Sequence, residues 1–290
     1  MDPQKKRQII NWLIFIMLSV IWGSSFILMK EGMKSLNAWQ VASLRIFSAG
    51  MILLPFTIRK WNNLPRKDIP LIFLSGLLGT FIPAYLFCFA ETELNSAIAG
   101  ILNALTPLFT LVIGASFFHS KLPLKKWVGV LIGFIGLVLL VGAGGNLDFS
   151  NMQYSGFVIL ATVCYGINVN MVSRYLRHIP SLMLAALAFG LLIVPSGLIL
   201  LITGYWRSRG EEGFMYSTAA SSVLGVFGTA IASVLFYMLM KRAGALFASM
   251  VTYGIPFVAL FWGFLAGERI GMMQIFCLGM ILAGVYVANK

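Results

Sequence analysis

Asn103 and Thr252 each stand four residues ahead of a proline, Pro107 and Pro256, and the two prolines are 149 residues apart. Both fall within long apolar runs and are expected mid-helix. A proline there removes a hydrogen bond and pushes away the carbonyl four residues back. Such a carbonyl is tolerated at membrane depth where it lines a cavity or finds another partner. A freed carbonyl beside a polar side chain, twice and in register, points to a shared pocket wall. The competing account is a pair of structural kinks with Asn103 bonded to a neighbouring helix.

A second matched pair is Trp22-Gly23-Ser24-Ser25 against Tyr165-Gly166-Ile167-Asn168, at an offset of 143. The glycine lets helices approach, and the polar residue two positions on reaches a ligand. Asn170 extends this polar set. Trp and Tyr also form interfacial belts, but these two sit deeper. The expected solute contacts are Trp22, Ser25, Asn103, Tyr165, Asn168, Thr252 and Tyr253, with Pro107 and Pro256 shaping the cavity and its gating bends. Tyr85, Tyr237 and Tyr253 are the weaker candidates, any one of which serves equally as packing.

Arg45 is the one fixed charge well inside an apolar run. An intramembrane charge faces the bundle interior or water. Arg45 reads equally as a structural clamp or as an anion contact. No acid lies mid-run: Glu91 and Glu93 sit at one end of the third run and Glu268 at the end of the ninth, so no proton relay is evident. His119 and His178 lie at run ends and are expected to be solvated. HExxH, GxSxG and DDxxD patterns are absent, so neither enzymatic chemistry nor a metal or other cofactor is expected. No ring of like charge or repeated filter loop indicates a channel.

The elements that position these residues follow from composition. Of 290 residues, 59% are hydrophobic and 10% charged, against ~45–50% and ~25% in soluble domains. The net charge of +12 is spread over gaps between apolar runs rather than gathered on one face, which excludes a nucleic-acid binder. Cys88, Cys164 and Cys277 fall inside apolar runs, where packing is the expected role.

Nine runs free of Asp, Glu, Lys and Arg, beginning with Gln8–Met29 and ending with Ile270–Asn289, have spanning length, and a tenth, Ser35–Ile58, is broken only by Arg45. Only helices or closed barrels cross hydrocarbon. Continuously apolar stretches such as GFIGLVLLVG, residues 133–142, exclude barrel strands. The first run is long for a signal peptide and lacks a clean cleavage site, so it reads as a retained span. Lys and Arg on alternate sides number 15 and 5, with Arg45 between. The richer side, which carries both termini, is expected to be cytoplasmic.

The chain also repeats itself. Gly76, Gly79, Thr80, Phe87 and Pro107 recur as Gly225, Gly228, Thr229, Phe236 and Pro256. The expected architecture is all-α integral membrane: ten transmembrane helices as two five-helix repeats, residues 1–147 and 148–290. Five is odd, so the second repeat enters the membrane inverted. Inverted repeats are the usual build of secondary transporters, with the substrate near the midplane. A duplication retained for packing alone is the alternative. Gly129, Gly133, Gly136, Gly279 and Gly284 are expected to pack helices, and the fifth and tenth spans equally suit a dimer contact.

WGSSF (22–26), Leu44-Arg45, NALTPLF (103–109), TYGIPFVALFWGFLAGE (252–268) and the glycine-containing last run together resemble the EamA-type drug/metabolite transporter superfamily over essentially the whole chain. The resemblance implies ten helices in inverted repeats, cytoplasmic termini and a central cavity lined mainly by the first, third, fourth, sixth, eighth and ninth. Members export amino acids and other metabolites. One position departs: His119 stands 149 residues before Glu268, where the family often has Glu.

The expectation is a multi-pass plasma-membrane carrier exporting a small amphipathic metabolite, of bacterial inner-membrane type, in a lipid bilayer as a monomer or homodimer. Its partner is a small-molecule substrate and not a nucleic acid. The competing class is a channel-like or non-transporting scaffold.

Overall fold

The computed structural model describes residues 2–61, 66–94, 96–120, 123–143, 152–258, 261 and 271–289. Among them there are helices and turns and no strand. Six helical columns are long and apolar enough to cross a membrane: Pro3–Gly32, Ala38–Trp61, Arg66–Glu91, Ser155–Tyr175, Ser181–Ile202 and Phe214–Ala243. Shorter apolar helices lie at Thr106–Phe117, Ala245–Val258 and Ile275–Ala288.

Local chemistry starts and stops these helices. Helix α1 (Pro3–Gly32) opens on an Asp2 cap that accepts from the Gln4 amide at 3.0 Å, with proline in the first turn. Helix α2 (Ala38–Trp61) opens on a reciprocal box. The Asn37 side chain accepts from the Gln40 amide at 3.0 Å, and Gln40 Oε1 accepts from the Asn37 amide at 3.1 Å. The outer faces are apolar: Leu13, Ile16 and Val20 on α1 and Val194, Leu198 and Leu201 on the fifth column, Ser181–Ile202, are exposed. That arrangement is stable where the surrounding solvent is hydrocarbon.

The third column is not one α-helix. It runs as α3 (Ile69–Gly76), a π-helical segment at Leu77–Phe81, and α4 (Ile82–Glu91). The column Phe214–Ala243 is built the same way: α10 (Phe214–Val223), a π-helical segment at Leu224–Ile231, and α11 (Ala232–Ala243). At the offset of 149, the first π segment falls within the second.

Two mid-helix expectations are corrected. Pro107 does not kink a continuous helix. The fourth run is divided into α5 (Ser96–Asn103) and α6 (Thr106–Phe117) by a turn at Ala104 and Leu105, and Pro107 occupies the first turn of α6. Proline is tolerated at that position because the first amides of a helix have no internal partner. Pro256 likewise follows a break, with α12 (Ala245–Ser249) tightening into a 3₁₀ turn at Met250–Gly254 before helical residues 255–258. Glu268, Arg269 and Lys121 lie outside the described residues, as does Gly263.

Helix α7 (Leu124–Ala143) packs along α13 (Met272–Asn289), and α2 packs along α9 (Ser181–Ile202). Around these, contacts come in exchanged pairs. With α8 at Ser155–Tyr175, α4 lies on α8 as α11 lies on α1. Helix α6 lies on α8 as the Met250–Gly254 turn lies on α1, and α3 lies on α9 as α10 lies on α2.

Gly129 and Gly133 of α7 and Gly284 of α13 bring two backbones together, since a Cβ on Gly284 would meet the Gly129 carbonyl oxygen at 2.6 Å. Among the described residues no neighbour stands over Gly279 within 4 Å. The three cysteines are free and buried. His178 is not merely solvated: its Nε2 lies 2.9 Å from the carboxylate of buried Asp68, which joins the start of the third column to the segment after α8.

Candidate functional site

Between α1, α2, the two π-bearing columns, α8 and the two broken helices lies a cavity of about 110 Å³. One enclosed water needs ~10–15 Å³ by this kind of measure, so the space admits a small solute. Three wall residues mark the middles of their columns. Tyr165 is central in Ser155–Tyr175, Thr80 in Arg66–Glu91 and Thr229 in Phe214–Ala243.

Six of the seven expected contacts line this cavity: Trp22, Ser25, Asn103, Tyr165, Asn168 and Thr252. Tyr253 does not. Its ring packs against Gly133 of α7, and its hydroxyl donates to the Val130 carbonyl at 2.8 Å. It is fully buried on the far side of the turn from Thr252, so it is corrected here to a packing residue. Pro107 and Pro256 stand behind the wall rather than in it. Asn170 faces elsewhere, its amide donating to the Thr110 and Gly166 carbonyls at 2.9 and 2.8 Å.

Matched residues meet their neighbours in exchanged pairs. Trp22 packs against Phe236 with ring centroids 5.4 Å apart, and Tyr165 stacks on Phe87 at 6.2 Å. Phe87 and Phe236 are themselves 149 residues apart. The Trp22 indole N–H donates to the Gly228 carbonyl at 3.1 Å. A Cβ on Gly228 would lie 2.7 Å from the Ser25 hydroxyl, and one on Gly79 would collide with the Asn168 amide. Gly23 meets Val258 as Gly166 meets Phe109. The π segments thus press glycine against the polar residues of α1 and α8. Wide turns of this kind recur at functional sites.

The backbone freed at the breaks is re-satisfied locally. Thr106 Oγ1 donates to the Asn103 carbonyl at 2.6 Å, and Thr252 Oγ1 donates to the Ser249 carbonyl at 3.1 Å. This is the partner that a broken helix at membrane depth requires. The Asn103 and Thr252 side chains meanwhile line the wall.

Arg45 also lines the cavity, and its Nε donates to the Thr229 hydroxyl at 2.6 Å. Asn168 is 3% exposed and its Oδ1 has no hydrogen-bond partner among the described residues. Glu91, at the end of α4, is buried, and among the described residues neither of its carboxylate oxygens has a hydrogen-bond partner.

Thr80, Thr229, Phe87 and Phe236 belong to the wall but were not expected there as contacts. Their signal was present, since all four recur at the 149 offset. No group of three or more His, Cys, Asp or Glu among the described residues is placed to hold a metal.

The EamA-like transporter family model matches the chain twice, over residues 10–142 and 154–290. An uncharacterized transporter of Archaeoglobus fulgidus is 25% identical over 97% of this chain and 99% of its own. The uncharacterized inner membrane transporter YedA of Escherichia coli K12 is 28% identical over 94% of this chain and 88% of its own. A probable amino-acid metabolite efflux pump of Salmonella typhimurium is 24% identical over 94% and 92%. One solved structure superposes with a TM-score of 0.74 at 19% identity, covering 96% of each chain, and so shares the fold. Spanning helices, a mid-column cavity and a family match over both halves lead to one statement: this chain is a multi-pass membrane protein of the EamA-like transporter family.

Proposed function

We propose that the chain is a ten-span secondary carrier built from two inverted five-helix halves, residues 1–147 and 148–290, with both termini cytoplasmic. It exports small amphipathic metabolites, amino acids or similar solutes, by alternating access. The observation that carries this reading is the cavity, to whose wall the two halves contribute exchanged, matched groups: Trp22 with Phe236, Tyr165 with Phe87. Two pseudo-equivalent halves supply alternating access when they exchange conformations. The name of the Salmonella relative, an amino-acid metabolite efflux pump, supports the solute class.

Trp22, Ser25, Asn103, Tyr165, Asn168 and Thr252 contact the solute, and Pro107 and Pro256 hold the helix breaks at which the wall bends. An aromatic and amide-lined wall suits a solute with both apolar and polar ends.

Counterflow in proteoliposomes tests the reading. Preloaded unlabelled amino acid accelerates entry of the labelled form through a carrier. A channel or a scaffold gives no trans-stimulation with any solute tried, and that result overturns the proposal.

A further inference from the structure

Arg45 spends one of its five donors on protein: the Nε–H goes to Thr229 at 2.6 Å. Among the described residues its two terminal nitrogens have no hydrogen-bond or ion-pair partner, although Arg45 is in the cavity wall. Glu91 lies within its electrostatic reach yet makes no ion pair with it. The Nε bond to Thr229 fixes the guanidinium plane, which leaves a planar fork presented to the cavity. Such a fork matches a carboxylate in bidentate geometry. A guanidinium at membrane depth with no ion pair among the described residues gains from the arrival of an anion.

Asn168 supplies the complementary group. Its Oδ1 is an acceptor, buried and unpaired in the same wall. A buried acceptor without a donor costs about 1–3 kcal/mol. A solute N–H or O–H removes that cost.

Building on the transport reading above, we infer that Arg45 is the specificity-determining residue of the cavity: it selects solutes bearing a carboxylate, while Asn168 takes a hydroxyl or amino donor on the same solute. Amino acids and hydroxy acids of moderate size satisfy both groups. Simple amines and carboxamides satisfy only Asn168, and apolar solutes satisfy neither.

The test uses, with the purified full-length protein, four probes that share an isobutyl group: L-leucine, 2-hydroxyisocaproate, L-leucinamide and 3-methylbutylamine. The reading is the thermal midpoint as each probe is titrated, which tracks ligand occupancy. L-Leucine and 2-hydroxyisocaproate raise the midpoint of the wild type, and the amide and amine do not. Arg45→Gln weakens the two carboxylates about tenfold or more, the loss of a charge-assisted bond, and so levels the four probes.

Where Arg45→Gln is not monodisperse, Arg45→Lys serves. It keeps the preference for carboxylates but binds them more weakly, because the planar fork is gone. The inference is overturned if the amide or amine stabilises the wild type as well as L-leucine does. It is equally overturned if the Arg45 variants keep full carboxylate affinity, or if none of the four probes binds the wild type. Trans-stimulated counterflow of some other solute in that last case leaves the carrier reading standing. Carboxylate-selective binding without counterflow of any solute sinks the carrier reading and leaves this one.

Discussion

Arg45 Nε and Thr229 Oγ1 lie 2.6 Å apart and join α2 to the π segment at Leu224–Ile231. The Thr229 hydroxyl in turn points at the Leu224 carbonyl, 3.3 Å away. One side chain therefore fixes both the wide turn and the guanidinium beside it. Thr229→Val keeps the shape and removes the oxygen. A hydrogen bond to a charged group contributes about 1.5–3 kcal/mol, so this variant loses stability of that order. Denaturant titration in detergent micelles reads the loss, and an unchanged midpoint would show that Arg45 finds an equivalent acceptor.

Gly79 is packed where a Cβ would overlap the Asn168 amide. Gly79→Ala forces Asn168 or the π segment to shift. Overpacking of this kind costs about 1–3 kcal/mol, and here it also narrows the cavity, so counterflow falls. Gly156→Ala is the matched control, because no atom of the described residues stands within 4 Å of its Cβ position. Equal behaviour of the two variants would mean that the close approach at Gly79 has no consequence.

Tyr253→Phe separates packing from solute contact. The lost hydroxyl bond to Val130, 2.8 Å long and buried, costs about 1 kcal/mol. Because the ring faces α7 and not the cavity, the half-saturating solute concentration in counterflow stays at the wild-type value. A change in that concentration with no change in stability would place Tyr253 back in the wall.

Asn103→Ala retains the carbonyl that Thr106 binds at 2.6 Å and deletes only the amide in the wall. Folded protein is expected at wild-type levels in the membrane, with counterflow reduced several-fold. Wild-type kinetics would remove Asn103 from the solute's path.

Much of this was legible in the sequence because hydropathy and repetition report on whole elements. The 149-residue offset located Asn103 and Thr252, and the structure puts both in one wall. The breaks at Ala104–Leu105 and at Met250–Gly254 were not legible. Proline marks where a helix is disturbed, but a kink and a fresh start both tolerate it. Nor were the π segments, since LLGTF reads as helix whichever carbonyl each amide reaches. Tyr253 was misplaced because neighbours on a helical turn point about 100–120° apart, which spacing alone does not orient. Glu91 looked interfacial at the end of its run, and only the packing of α4 shows that it is buried.

The wide turns carry a consequence for how this protein tolerates change. A π turn holds one residue more than an α turn, and each residue of a helix advances its direction by about 100°. Phe87 and Phe236 both follow such a turn, so the azimuth at which each ring emerges depends on how many residues precede it. Loss of a single residue from Leu77–Phe81 or from Leu224–Ile231 would swivel the matching phenyl away from Tyr165 or Trp22. The apolar character of the column would hardly alter. Deletions there, rather than substitutions, are the genetic lesions that leave the helix in the bilayer while dismantling its inner face.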